Sequence, residues 1–192
     1  MADPASTPNR IIAAAEQRMR KSGFHGFSFR EIAADVGIKS ASVHHHFPTK
    51  DDLGAAVARA YTEKTITALG DPNDPSSEPT ALMARFVDLF RSDLVTDRMM
   101  CLCGVLAGEA SSLAPRVNAE VRAFFDHNQQ WLETVLHRAA PGAKQQEEAD
   151  KALLVVATLE GALLIGHCHD NPDSFERTVN ALADTLAIST AD

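Results

Sequence analysis

The sequence predicts an all-α fold. No segment alternates apolar and polar residues with a period of two, and every periodic segment repeats at three to four residues. The strongest breaker cluster, Gly70 to Pro79 (GDPNDPSSEP), separates two such segments and reads as a surface loop. At 192 residues the chain has room for a small helical head and one larger helical body with a real core.

Taken in order, Thr7 and Pro8 supply a cap and a first-turn proline, and Ile12, Ala15 and Met19 turn inward. Ser28 caps a second helix whose Ile32, Ala33 and Val36 fall at one-turn spacing, and Gly37 sits where a helix end needs a residue tolerant of positive φ. Ile38 plugs the turn. Lys39 or Ser40 opens a third helix exposing Lys39, Ser40, Ser42, His44 and His45, with Ala41 small enough for close approach. Two short helices hinged at one glycine, Ser28 to Phe47, make a helix-turn-helix, and donors and small residues are what a major-groove helix needs. A fourth helix runs from Thr49 to about Leu69, with Asp51 and Asp52 in its first turn and Leu53, Val57, Ala60 and Tyr61 buried.

Beyond the loop, Thr80 to about Asp97 carries Leu82, Phe86, Leu89 and Phe90 at helical spacing, and Met99 to Ser111 is short, apolar and interrupted by glycine. Pro115 opens a long helix with Val117, Val121, Phe124, Asn128, Trp131 and Val135 at successive turns, ended by Ala140-Pro141-Gly142. Lys144 to His167 is apolar nearly all round, which requires contacts on more than one side. Phe175 to Ile188 places Phe175, Val179, Leu182 and Leu186 in one stripe.

The first third of the chain resembles the TetR family of bacterial transcriptional regulators. The matching residues run from Pro8 to Ser22, through Gly23-Phe24 and Ser28-Phe29-Arg30-Glu31-Ile32-Ala33, to Gly37-Ile38, Phe47 and Lys50. The family signature G-(V/I)-S-x-x-T-(L/I)-Y-x-x-F-x-x-K stands here as Gly37 to Lys50, with His44 where the family carries a phosphate-binding tyrosine. Imidazole also donates to phosphate. The resemblance implies a DNA-binding domain over residues 5–65, with its motif at 28–47, and a ligand-binding and dimerisation domain over 66–192. It further implies a homodimer on double-stranded palindromic operator DNA, recognition helices about 34 to 36 Å apart, and release by a small-molecule inducer. Ser40, Ala41 and Ser42 are expected at base edges, and Arg30, His44, His45 and Lys50 at phosphates, with Ser28 and Lys39 flanking them.

In the body, the polar His127, Asn128 and Glu160 fall within apolar stretches beside Phe86, Phe90, Cys103, Phe124, Trp131 and Leu159, the makeup of a small-ligand pocket. Each polar residue also fits as a satisfied buried group, so both readings stand at this point. The last two helices are expected to form the dimer interface, with Leu153, Val156, Leu163 and Leu164 shared between core and interface and Val179, Leu182 and Leu186 mostly interface.

Net charge is -8, but residues 1–50 carry +3 and the remainder -11, so a basic head sits on an acidic body. Three cysteines without a disulfide spacing and a polar start point to a reducing cytoplasm. The apolar run Ala152 to Gly166 is too short for a span and contains Glu160, so no membrane partner is expected. No cofactor, metal or catalytic residue is expected. His44 to His46 point about 100° apart, His167-Cys168-His169-Asp170 are contiguous at a helix end, and nucleophile elbows and phosphate loops are missing. The rival reading is a small-molecule-binding or metal-dependent enzyme on the same scaffold. Cys101 and Cys103 have two readings, an electrophile sensor as in a subset of the family or ordinary core residues.

Overall fold

The computed structural model describes residues 6–186, and every regular element among them is helical. In chain order these are α1 (Thr7–Ser22), α2 (Phe29–Val36), α3 (Ser40–His46), α4 (Lys50–Leu69) and α5 (Pro79–Ser92), then a π-helical turn (Asp93–Asp97). There follow α6 (Leu102–Gly108), α7 (Pro115–Ala139), α8 (Gln145–His169) and α9 (Pro172–Leu186). The expected ends at residues 5, 188 and 192 lie outside the described residues.

The chain divides into two compact units. One comprises the chain up to Lys64 together with Leu102–Phe124, the other Thr65–Cys101 with the chain from Phe125 onward. A single cut near residue 65 therefore does not describe the first unit, because α6 and the start of α7 pack with the helix-turn-helix. In that unit α1 buries Ile11, Ala15 and Met19, one residue out of the register expected from Ile12, and Ser6 rather than Thr7 is its cap.

Local chemistry sets α2 and α3. The Ser28 hydroxyl accepts the Glu31 amide, and the Glu31 carboxylate accepts the Ser28 amide at 2.8 Å, so two orphan donors of the helix start are satisfied together. Gly37, at φ 73° and ψ 36°, ends α2 in the left-handed region, and the Ile38 amide returns to the Ala33 carbonyl at 2.9 Å. Arg18 of α1 grips Asp35 with two donors, at 2.5 and 2.9 Å, and reaches Glu31 at 3.2 Å. Thr49 and Asp52 repeat the reciprocal cap at the start of α4, each accepting the other's amide at 3.1 Å.

The loop between α1 and α2 is held from two sides. Both Glu109 carboxylate oxygens accept the Phe24 amide, at 3.1 and 3.2 Å. The Lys50 ammonium donates to the Phe27 carbonyl at 2.6 Å and lies 4.1 Å from the centre of the Phe27 ring. Gly23 has φ 73° and ψ 177°, a region closed to side chains, and a Cβ there would lie 1.9 Å from Glu109 Oε1.

In the second unit α8 packs on α9, α5 and the π turn. Phe86 stacks on Trp131 with ring centres 5.8 Å apart, and the indole N–H donates to the Gly70 carbonyl at 2.9 Å. Arg85 and Arg138 hold the loop's carbonyls at Leu69, Pro72 and Ser77, and Arg91 grips Glu176 at 2.6 and 3.0 Å. Val179 and Leu182, expected at the interface, are only 6% and 8% exposed, because α9 turns its apolar stripe onto its own chain. Val156 and Leu163 are likewise buried within the chain, and Leu186 is half-buried. The outward apolar face belongs to α8, where Leu153 and Leu164 are 52% and 58% exposed beside exposed Leu154 and Ile165. By length and composition α8 is apolar enough to span a membrane, a test that the core helix of a globular protein also passes.

Two outcomes follow for the first unit. Glu31 is held below the usual carboxylate range, chiefly by the Ser28 hydroxyl and amide, and Asp35 chiefly by Arg18. A carboxylate with a lowered folded pKa stabilises the fold above its unfolded value and loses that contribution as pH falls through the folded one. Ser28→Ala should therefore lower Tm by about 2–4 °C at pH 7, a difference that shrinks below about pH 4, measured by thermal melts across pH. Gly23→Ala should cost more, at least about 2 kcal/mol in urea unfolding, since it combines backbone strain with loss of the Glu109 contact.

Candidate functional site

The third helix begins at Lys39, whose backbone is extended, and is pinned by Val43, fully buried, and by Phe47 just beyond its end. With those two residues inward, Lys39, Ala41, His44 and His45 are exposed and Ser40 and Ser42 half-exposed, so the six expected contact residues are all accessible along one short element. Arg30, exposed on the first turn of α2, adds a cation on the neighbouring helix. The His44 ring lies 4.6 Å from that of Phe29, which packs the imidazole over the start of α2. His45 and His46 stand edge to face at 5.3 Å.

Two expected contacts have other partners. The Ser28 hydroxyl is engaged with Glu31, as donor at 2.8 Å and as acceptor from its amide, so it acts as a cap. The Lys50 ammonium is half-buried between Phe27 and Phe24, and desolvation lowers its pKa against the pull of Glu109, Glu31 and Asp51. One donor of the Lys50 ammonium is thus committed to the loop between α1 and α2. Its partner is 23 residues away, and no local pattern announces it. Arg18 and Glu109 were also missed, since each meets its partners only through the packing of α1 on α2 and α6 on α1.

The expected pocket residues separate. Phe86, Phe90, Trp131 and Leu159 are buried in the second unit, whereas Cys103 and Phe124 belong to the first, where Phe124 packs against Tyr61 at 5.5 Å. His127, Asn128 and Trp131 come together around a shallow hollow of about 220 Å³ with Ile66, Leu69 and Thr134. Glu160 lies elsewhere on α8, largely buried, beside Asp93 and hydrogen-bonded by the Cys101 thiol. Burial pushes its pKa up to about 7; the Cys101 bond opposes this and Asp93 reinforces it. Cys101 and Cys103 are both buried, away from the solvent that a thiol reagent would come from. Among the described residues no three His, Cys, Asp or Glu side chains gather as a metal site would require.

A family profile described as bacterial regulatory proteins of the tetR family matches residues 11–57, and one described as the C-terminal domain of LmrA/YxaF-like transcriptional regulators matches residues 79–181. Among solved structures, a TetR transcriptional regulator from Legionella pneumophila is 30% identical, covering 96% of this chain and 99% of its own, with a TM-score of 0.88. A TetR family regulator from Agrobacterium tumefaciens is 27% identical over 95% of this chain and 98% of its own, with a TM-score of 0.83. The HTH-type nicotine-responsive transcriptional repressor HdnoR of Paenarthrobacter nicotinovorans is 27% identical over 150 residues, 77% of either chain. With one profile covering the helix-turn-helix, a second spanning more than half of the chain, and near-complete overlap with a solved relative, this chain belongs to the TetR family of DNA-binding transcriptional regulators.

Proposed function

We propose that the chain is a cytoplasmic, ligand-responsive repressor that binds a palindromic operator as a homodimer and releases it when a small organic molecule occupies the second unit. The observation that carries this reading is the outward set on α3, where donors and one small residue stand over a fully satisfied cap and turn. In it Ser40, Ala41 and Ser42 read base edges, while Arg30, Lys39, His44 and His45 hold phosphates. The nicotine-responsive repressor among the relatives supports both repression and a small organic effector, and it makes nicotine the first probe. The rival reading as an enzyme has no support in these relatives. The exposed apolar side chains of α8 support the dimer: Leu153, Leu154, Leu164 and Ile165 are large, apolar and uncovered by their own chain, as residues covered by a second copy in an isologous contact would be.

DNA binding is tested by titrating fluorescent duplexes, random and from the promoter beside the gene, across salt. Arg30→Ala and Lys39→Ala should weaken all duplexes alike and reduce the salt slope by about one unit each. Changes at Ser40 or Ser42 should instead alter preference among sequences by about 1–3 kcal/mol. Lys50→Ala should leave the slope unchanged and lower Tm. Slopes unmoved by Arg30 and Lys39 together would sink this docking.

For the dimer, Leu164→Asp should halve the mass seen in sedimentation equilibrium with helicity intact, because that side chain is exposed within its own chain. Leu182→Asp should unfold the second unit, since its charge would be buried unpaired. A Leu164→Asp protein still at the wild-type mass would place the interface elsewhere.

A further inference from the structure

The π turn lies against α8 through three pairs that follow the same order along both segments. Asp93, at its start, stands beside Glu160. Leu94 seats on Gly166, where a Cβ would lie 2.8 Å from Leu94 Cδ2, and Arg98, just past the end of the turn, is ion-paired with Asp170. Arg98 and Asp170 both hold left-handed backbone, at φ 52° and 48°, a strain that collects at switch regions. The turn itself is π-helical, a form frequent at functional sites, and the Met99 amide closes it on the Asp93 carbonyl at 2.9 Å.

Two of these pairs attract and one does not: Asp93 and Glu160 are both acids. Glu160 Oε1 is shielded from solvent and has no hydrogen-bond partner, while the Cys101 thiol bonds the carboxyl group. A buried carboxyl without a cation is costly when charged and far less so when protonated. The cations on the elements packed against α8 are committed elsewhere, Arg91 of α5 to Asp88 and to Glu176 of α9, and Arg85 to the Leu69 carbonyl. The other charged residues of α9, Asp173, Arg177 and Asp184, are exposed, as are Asp97 in the turn and His167 further along α8. Burial, opposed by the Cys101 bond and reinforced by Asp93, therefore holds the Glu160 pKa at about 7. Cys101 leads directly into α6, which packs on α1, and the turn after α6 carries Glu109, whose carboxylate holds the Phe24 amide.

We propose that the π turn is a proton-controlled strap. With a proton on Glu160 it stays seated on α8. When alkaline solution removes that proton, the Glu160 charge drives Asp93 away, the strap opens at its Asp93 end, and the chain entering α6 loosens, so that operator affinity falls. The operator step rests on the repressor reading above; the opening of the strap does not.

The test uses the full chain as wild type, as Glu160→Gln, which mimics the protonated acid, and as Asp93→Asn, which removes the repelling charge. Circular dichroism confirms that each folds. Hydrogen exchange of residues 93–101, corrected for the intrinsic pH dependence of exchange, should show wild type losing about tenfold of its protection between pH 6 and pH 8, Asp93→Asn losing less and Glu160→Gln about none. Thermal melts carry the same sign. An acid with a raised folded pKa stabilises the fold most below the ordinary carboxylate value, and that contribution is lost as pH rises to about 7. The Tm of wild type should therefore drop by at least about 2–4 °C relative to Glu160→Gln between pH 5 and pH 8. Over pH 6 to 8 wild type should also lose about fivefold or more of its affinity for the duplex from the promoter beside the gene, relative to Glu160→Gln; the comparison cancels His44 and His45, which both proteins share. Equal protection of the wild-type turn at pH 6 and pH 8, or an equal loss in wild type and Glu160→Gln, overturns the strap. A strap that opens while the two proteins keep parallel duplex affinities overturns its control of DNA. Duplex binding by neither protein at any pH would sink the repressor reading, and hydrogen exchange would still decide the strap.

Discussion

The reading surface depends on how five residues, Gly23 to Phe27, are held between α1 and α2. Their backbone is anchored at both ends, the Phe24 amide on the Glu109 carboxylate and the Phe27 carbonyl on the Lys50 ammonium. Phe24 and Phe27 pack edge to face beneath, 6.3 Å apart. Buried backbone groups need partners, and here the partners are charged side chains from the turn after α6 and the first turn of α4. From that fixed corner the rest follows: the cap at Ser28 sets where α2 begins, Gly37 where it ends, and α3 inherits its outward face from both.

The second unit is governed by α8, a helix with more apolar surface than its own chain can cover. Its inner face takes up α5, α9 and the π turn, and the stripe of α9 is consumed in that packing. What remains on α8 is Leu153, Leu154, Leu164 and Ile165, a surface too apolar to leave in water without consequence. Two acids of this helix turn inward, Glu148, which meets the His137 ring at 2.9 Å, and Glu160, whose Oε1 has no hydrogen-bond partner.

Legibility followed range along the chain. Caps, turn glycine and helix order could be read because each is a short-range device: Ser28 with Glu31, Thr49 with Asp52, Gly37 with Ala33 and Ile38. The helices before and after the loop at residues 70–78 were placed within a few residues for the same reason. What the sequence could not supply are partners far away. Lys50 sits in a position that the family signature ties to DNA, but its amine has a neighbour 23 residues back. Val179 and Leu182 form a stripe whose direction periodicity cannot choose, since an amphipathic face fits its own core or another copy equally well. Phe124 and Cys103 looked like pocket residues because hydrophobic spacing does not say which unit a helix segment joins. Ile11, one place from the expected Ile12, shows that two adjacent isoleucines leave a helix's rotation ambiguous by about 100°.

The first unit is discontinuous, and that sets an order of events during synthesis. Glu109 lies 85 residues beyond the amide it holds. A ribosome emitting the chain from its start releases α1 to α4 well before α6, so the nascent helix-turn-helix lacks the carboxylate that fixes its corner until residues 102–124 have also emerged. The whole of α5 and the π turn, which belong to the other unit, must be looped out in the meantime. The two units are thus interleaved in time as well as in sequence: the first cannot be finished before part of the second has been made, and its closing contacts have a high sequence separation that slows their formation.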